Sequence, residues 1–334
     1  MHKLVVNIRR QSSRTDSPYW QTFRVAIDPH SQTVLDLLHQ IQWQEDGSLS
    51  FRRNCRNVIC GSCAMRINGR AGLACQKLIS EVLEQDRVTE LAIEPMGNLP
   101  VIKDLVVDMT KFWQNLARVD PYVATAARQA PAQEFSQEFL QTPAQRQQLQ
   151  AAGNCILCGS CYSECQAVTV NPAFVGPHAL TKAQRLLADN RDQESQSRLV
   201  KYNQLDFAWG CTRCFNCNEV CPVEVAPLDR ITEVKGEILA AAPPSSDPQV
   251  ATAVRHRQTM VELVKESGWI DESKFGLTVV ANNFRDWAGL WSLVPLGWRM
   301  WRRGKLPYPW QFKPSIAVKQ IKMLIASIQK SQKS

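Results

Sequence analysis

No stretch of this sequence reaches the roughly 18 to 20 uninterrupted apolar residues of a spanning helix, so the chain is not expected to cross a membrane. The N-terminus, Met1-His2-Lys3-Leu4-Val5-Val6-Asn7-Ile8, alternates like a strand and has no apolar h-region, so no secretory signal is expected there. There is no G-x-G-x-x-G dinucleotide loop and no candidate pairing of a nucleophile with a base. Without them, the chain is expected neither to bind a flavin or nicotinamide nor to carry out substrate chemistry by itself. Acidic residues also run out: after Asp286 come nine Lys or Arg and no Asp or Glu, which leaves the rest of the chain close to neutral. Such basic tails seek nucleic acid, an acidic partner or an anionic membrane surface. The expected location is the cytoplasmic side of a membrane, peripherally attached.

The 334 residues, 44% hydrophobic and 21% charged, suit two or three folded domains. Lys3 to Arg10 and Tyr19 to Asp28 alternate as strands, and Val34, Leu37, Leu38 and Ile41 share one face of a helix starting at Thr33. Asn68-Gly69 is a two-residue hairpin signal. Leu73 to Ile79 is the expected return strand and Val88 to Glu94 a further one. Gln129 to Gln150, rich in Gln, reads as a linker or polar helical connector. Helical spacing resumes from Thr181 through Leu187, and Asp247 is placed to cap a helix running to about Ser267.

Twelve cysteines stand out in a chain expected to meet reducing conditions, where thiols serve as metal ligands more readily than as disulfides. Cys55, Cys60, Cys63 and Cys75 are spaced C-x4-C-x2-C-x11-C, and the first three reproduce the plant-type [2Fe–2S] arrangement. Gly61 and Ser62 are small enough for backbone N–H groups to approach the sulfurs. A structural zinc site is the competing reading, but closed zinc sites favour paired C-x2-C knuckles and this segment has one.

Cys155, Cys158, Cys161 and Cys165 form C-x2-C-x2-C-x3-C, and Cys211, Cys214, Cys217 and Cys221, followed by Pro222, repeat it. In the bacterial two-cluster pattern the fourth cysteine of each run serves the other cluster. That assigns Cys155, Cys158, Cys161 and Cys221 to one [4Fe–4S] cluster and Cys165, Cys211, Cys214 and Cys217 to a third cluster. Three such centres in one chain form an electron wire that needs a two-electron flavoprotein as partner. A zinc-rich nucleic-acid-binding protein is the reading from another class, and it leaves the two repeated runs without a reason, so no nucleic acid is expected.

The words around these cysteines, Arg53-Asn54-Cys55-Arg56, Cys60-Gly61-Ser62-Cys63-Ala64-Met65, Ile67-Asn68-Gly69, Leu73-Ala74-Cys75, Pro100 through Asp108, Asn171-Pro172 and Gly176-Pro177, resemble the iron–sulfur subunits of succinate dehydrogenases and fumarate reductases. The resemblance spans about residues 1 to 240. It implies an α+β protein: a β-grasp plant-type [2Fe–2S] ferredoxin domain over 1–105, a connector over 106–150, an all-α bacterial-ferredoxin-like two-cluster domain over 151–242, and a C-terminal extension over 243–334. It also implies an FAD-bearing partner subunit that oxidises succinate, and quinone as the eventual acceptor.

The chain departs from that pattern at several positions. Most relatives hold a [3Fe–4S] third cluster because a non-cysteine residue stands where this chain has Cys214. With four thiols available [4Fe–4S] is the favoured expectation; the alternative is a buried free Cys214 beside a three-iron cluster. Val170 and Thr212 replace the Trp and His of the family's quinone pocket, and Gln166 replaces a proline, so that pocket is not carried over. A branch with extra cysteine and a heterodisulfide-reductase-like partner in place of a haem-bearing anchor is the better match.

In the extension, residues 269 to 310 hold six of the ten Trp. Ile316, Val318, Ile321, Leu324, Ile325 and Ile328 fall near one helical face. Docking on a partner subunit, contact with a membrane interface and packing on the protein's own body all fit these stretches.

Overall fold

The computed structural model describes residues 2–125, 138–241, 247–304 and 313–331. The chain divides into two compact units, Met1–Pro243 and Pro244–Ser334.

The first unit opens with β1 (His2–Arg10) and β2 (Tyr19–Ile27), paired antiparallel with Val6 opposite Phe23. Alternation decides their faces: Leu4, Val6, Ile8, Phe23, Val25 and Ile27 are buried. Thr33 caps α1 (Val34–Gln44) through a box in which its hydroxyl accepts from the Asp36 N–H and Asp36 accepts from the Thr33 N–H. The apolar face of α1, Leu35, Leu38 and Ile41 among it, joins the same core. β3 (Ala64–Ile67) turns into β4 (Arg70–Leu73) at Asn68-Gly69, both with positive φ (49° and 78°), as a two-residue hairpin requires. α2 (Ile79–Asp86) and β5 (Glu90–Glu94) follow, and the mixed sheet runs β2-β1-β5-β3-β4, with β1 and β5 parallel. The expected return strand to Ile79 ends at Leu73. The Gln76 and Lys77 N–H groups both turn back onto the Leu73 carbonyl, and Ile79 opens a helix instead. A small ribbon, β6 (Val101–Lys103) with β7 (Val106–Val107), leads into α3 (Thr110–Ala117).

The remainder of this unit is helical: α4 (Pro143–Gly153), α5 (Ser160–Ser163), α6 (Gln166–Val170), α7 (Pro177–Leu187), α8 (Ser195–Tyr202), α9 (Asn216–Glu219) and α10 (Pro227–Ala241). Residues 138–150 of the expected polar connector are described and hold the start of α4, capped by Thr142; 129–137 lie outside the described residues. Sheet and helices share one apolar core running from Leu4 to Ile238. Where they meet, His178 is fully buried, stacked on Phe112 at 3.8 Å between ring centroids, with its Nε2 3.0 Å from the Phe112 carbonyl.

The second unit contains α11 (Pro248–Ser267), capped by Asp247 as expected, then α12 (Glu272–Val279), α13 (Trp287–Arg302) and α14 (Val318–Ser331). Arg255 donates to the Val279 carbonyl and His256 packs edge-on to Phe275, tying α11 to α12. The expected stripe on α14 splits. Val318, Ile321 and Ile325 are half-buried, Leu324 and Ile328 are exposed, and Ile316 lies outside the helix. Among the described residues, no helix is long and apolar enough to cross a membrane.

Candidate iron–sulfur site

The loop between α1 and β3 carries the first cysteines on a strained backbone. Arg56, Val58 and Gly61 all have positive φ (55°, 57° and 69°), a conformation that costs a β-branched residue such as Val58 the most. The winding turns N–H groups inward. Those of Asn57 and Cys60 lie 3.3 Å from the Cys55 sulfur, and that of Cys55 lies 3.5 Å from the Cys60 sulfur. Burial pushes the Cys60 thiol up, but the Ser62 hydroxyl and the Cys55 and Ser62 N–H groups outweigh it and bring it down to about 6. Burial drives Cys63 up to about 12, helped by the neighbouring Cys75 and Cys60.

The two later runs fold alike. Leu157 and Arg213 have φ of 53° and 60°, and Gly159 and Phe215, which open α5 and α9, have φ of 89° and 73°. The thiols of each expected group feel one another across the runs. Burial lifts Cys155 and Cys158, and each is raised further by Cys221. Cys165 is raised to about 11 by burial and then by Cys211 and Cys214. Cys217 reaches about 12 for the same reason, with Cys211, Cys165 and Cys214 as neighbours. Burial pushes the Cys161 thiol well above its usual range, helped by Cys158 and Cys155 of its own run and by Cys217 and Cys221 of the other. Buried thiols that repel one another's charge need cations to become ligands, and iron supplies that compensation while displacing the protons. All-thiol groups with inward N–H donors are the donor chemistry that iron–sulfur clusters take, although among the described residues no three of these side chains yet converge closely enough to hold a metal ion.

Contacts between the sheet and the helices bring these groups together. A Cβ on Gly61 would stand 2.7 Å from both Cα and Cβ of Cys158, so the first loop touches the second group directly. Asn98 donates to the carbonyls of Tyr162 (2.9 Å), Ser163 (3.1 Å) and Cys165 (3.0 Å), and Arg66 pairs with Glu164 at 2.9 Å.

Residues 5–114 match the 2Fe-2S iron-sulfur cluster binding domain, and residues 151–225 the 4Fe-4S dicluster domain. The fumarate reductase iron-sulfur subunit of Haemophilus influenzae is 35% identical over 240 residues, covering 70% of this chain and 91% of that one. The chain belongs to the family of succinate dehydrogenase and fumarate reductase iron–sulfur subunits. Within that family, the mitochondrial succinate dehydrogenase [ubiquinone] iron-sulfur subunit 1 of Oryza sativa subsp. japonica is 38% identical over 224 residues, covering 67% of this chain and 77% of that one. The fold agrees with a chain of the Mycobacterium smegmatis Sdh1 complex in the apo form, at a TM-score of 0.61 and 24% identity over 74% of this chain and 98% of that one.

Cys214 is exposed, whereas the alternative with a three-iron cluster expects it buried. Val170, Thr212, Arg213 and Phe215 are exposed as well. Two lysines escaped the sequence reading. Lys182 of α7 donates to the Cys155 carbonyl at 3.3 Å and Lys235 of α10 to the Cys211 carbonyl at 3.1 Å, so each run has a cation on the carbonyl of its first cysteine. Spacings of 27 and 24 residues carry no local signal. Asn98 was missed for the same reason.

Proposed function

We propose that this chain is the iron–sulfur subunit of a succinate:quinone oxidoreductase, relaying electrons one at a time from the FAD of a flavoprotein partner toward quinone. In this reading Cys55, Cys60, Cys63 and Cys75 hold a [2Fe–2S] cluster. Cys155, Cys158, Cys161 and Cys221 hold a [4Fe–4S] cluster, and Cys165, Cys211, Cys214 and Cys217 hold a third, also [4Fe–4S]. When bound, these groups supply one-electron redox chemistry, and the protein's part is to fix their order and exclude water between them. The observation that carries the reading is the close approach of Gly61 to Cys158, which joins the first cysteine loop to the second group; Cys217 in turn helps to raise the Cys161 thiol. The domain limits 1–105, 106–150, 151–242 and 243–334 belong to the same proposal.

Exposed Cys214 supports an exit for electrons at the surface, toward a membrane anchor or a heterodisulfide-reductase-like subunit, with the whole chain peripheral to the membrane on its cytoplasmic side. Fumarate reductase is the same relay run in reverse, and the Haemophilus relative favours keeping it as the second reading. Direction follows from the cluster potentials and the acceptor. Succinate added to the purified assembly should reduce the clusters, seen by low-temperature EPR. Clusters that dithionite reduces and succinate leaves oxidised would sink the succinate assignment while sparing the relay.

A further inference from the structure

Helix α13 covers one of its faces and leaves the other bare. Gly289, Leu290, Leu293 and Met300 are partly buried along one side. The Leu293 side chain comes within 3.9 Å of where a Cβ on Gly276 of α12 would stand, and Gly289 lies so close to the Val280 carbonyl that no Cβ fits. Opposite them, Trp287, Trp291, Val294, Trp298 and Trp301 recur at i, i+4, i+7, i+11 and i+14, a single stripe of a helix. They are 68, 71, 52, 59 and 63% exposed. Packing on α12 thus accounts for the Gly and Leu side and leaves the indoles largely exposed, with Trp298 and Trp301 tilted against each other at 5.6 Å between ring centroids.

We infer that this stripe is a lipid-docking surface, which lays α13 in the headgroup region of an anionic membrane with its Trp side down. The occupant is argued from two independent features. First, four indoles with their N–H groups suit a boundary that is apolar on one side and wet on the other, whereas a dry helix seam would leave those donors unpaired. Second, the charge is complementary to anionic lipid: Arg299, Arg302 and Arg303 close the helix, and no acid follows Asp286, whose carboxylate is engaged by the Gly289 N–H at the start of α13. The surface lies beyond residue 225, where the matched family domains end. The inference deepens the membrane-peripheral part of the reading above and rests on that part alone.

The test uses the full-length chain with its clusters, sedimented with vesicles of phosphatidylcholine alone or mixed with phosphatidylglycerol at roughly three to one. Binding is expected to the anionic vesicles, with quenching of Trp emission when the acyl chains carry bromine. The triple substitution Arg299→Gln, Arg302→Gln and Arg303→Gln should weaken binding on the order of a hundredfold. The pair Trp291→Ser and Trp298→Ser should weaken it about tenfold and remove much of the quenching. All five side chains are exposed, so circular dichroism and cluster EPR should stay as in the parent chain. Failure to bind either vesicle, binding that ignores both sets of substitutions, or burial of the stripe by another subunit in lipid-free assembly would each overturn the inference. EPR after succinate on the chain assembled with its flavoprotein partner reports the electron-donor reading separately.

Discussion

Gly61 meets Cys158 where any side chain would collide, and its φ of 69° already disfavours a Cβ. Gly61→Ala should therefore cost about 1–3 kcal/mol of stability and push the first cysteine loop off the second group. Thermal unfolding would show the first effect, and slower reduction of the clusters beyond [2Fe–2S] the second; a variant with parental melting and kinetics would contradict the contact's role. Cys214 is tested by spectroscopy. Its exposed thiol lies near enough to Cys165 and Cys217 to raise both, which is what its proposed place in the third group requires. Cys214→Ser should produce the EPR signal of an oxidised three-iron cluster in air-exposed protein, where the parent chain shows none. Identical spectra would mean that this thiol is not a ligand.

At the level of elements, polar clamps hold the ligand-bearing segments where apolar packing does not reach. Arg10, at the end of β1, is 3% exposed and pairs with Asp104 at 2.9 Å and Asp46 at 2.8 Å, while Asp104 also accepts from the N–H groups of Gln11 and Ser50. Arg10→Met would leave a buried carboxylate without its cation, a loss on the order of 3–5 kcal/mol readable from the urea midpoint. His178 gives the helical part its acid sensitivity. Burial holds its imidazole down to about 3, against an ordinary value of 6.5, and only the Phe112 carbonyl opposes this. Its folded value is depressed, so the unfolded chain binds the extra proton between those limits. Stability is complete above about pH 6.5 and falls as pH drops toward 3. His178→Phe should flatten the stability-versus-pH curve in that window by about one proton. An unchanged slope would mean the imidazole is not buried neutral.

Across the whole molecule, what could be read in the sequence was what is encoded locally. The Cys spacings, the Asn68-Gly69 hairpin, the helix from Thr33 and the Asp247 cap each depend on residues a few positions apart, and the structure has the hairpin, the helix and the cap in place. The return strand after Leu73 was misjudged because alternation continues past the residue where the backbone turns onto the Leu73 carbonyl. The contacts that join the groups, Gly61 to Cys158, Asn98 to the α5 carbonyls and the two lysines behind Cys155 and Cys211, link residues 24 to 97 apart and leave no periodic trace. The bare Trp stripe needed the structure as well, since composition alone does not say which face of a helix is covered.

The central claim is a relay of three clusters held by twelve cysteines, with the fourth thiol of each later run crossing to the other group. An EPR-monitored redox titration of the full chain with its natural partners tests it most directly. The expected result is three separate one-electron transitions, with Cys221→Ser disturbing the cluster of Cys155, Cys158 and Cys161 and leaving that of Cys211 intact. Fewer than three transitions, or damage from Cys221→Ser confined to the Cys211 group, would contradict the account.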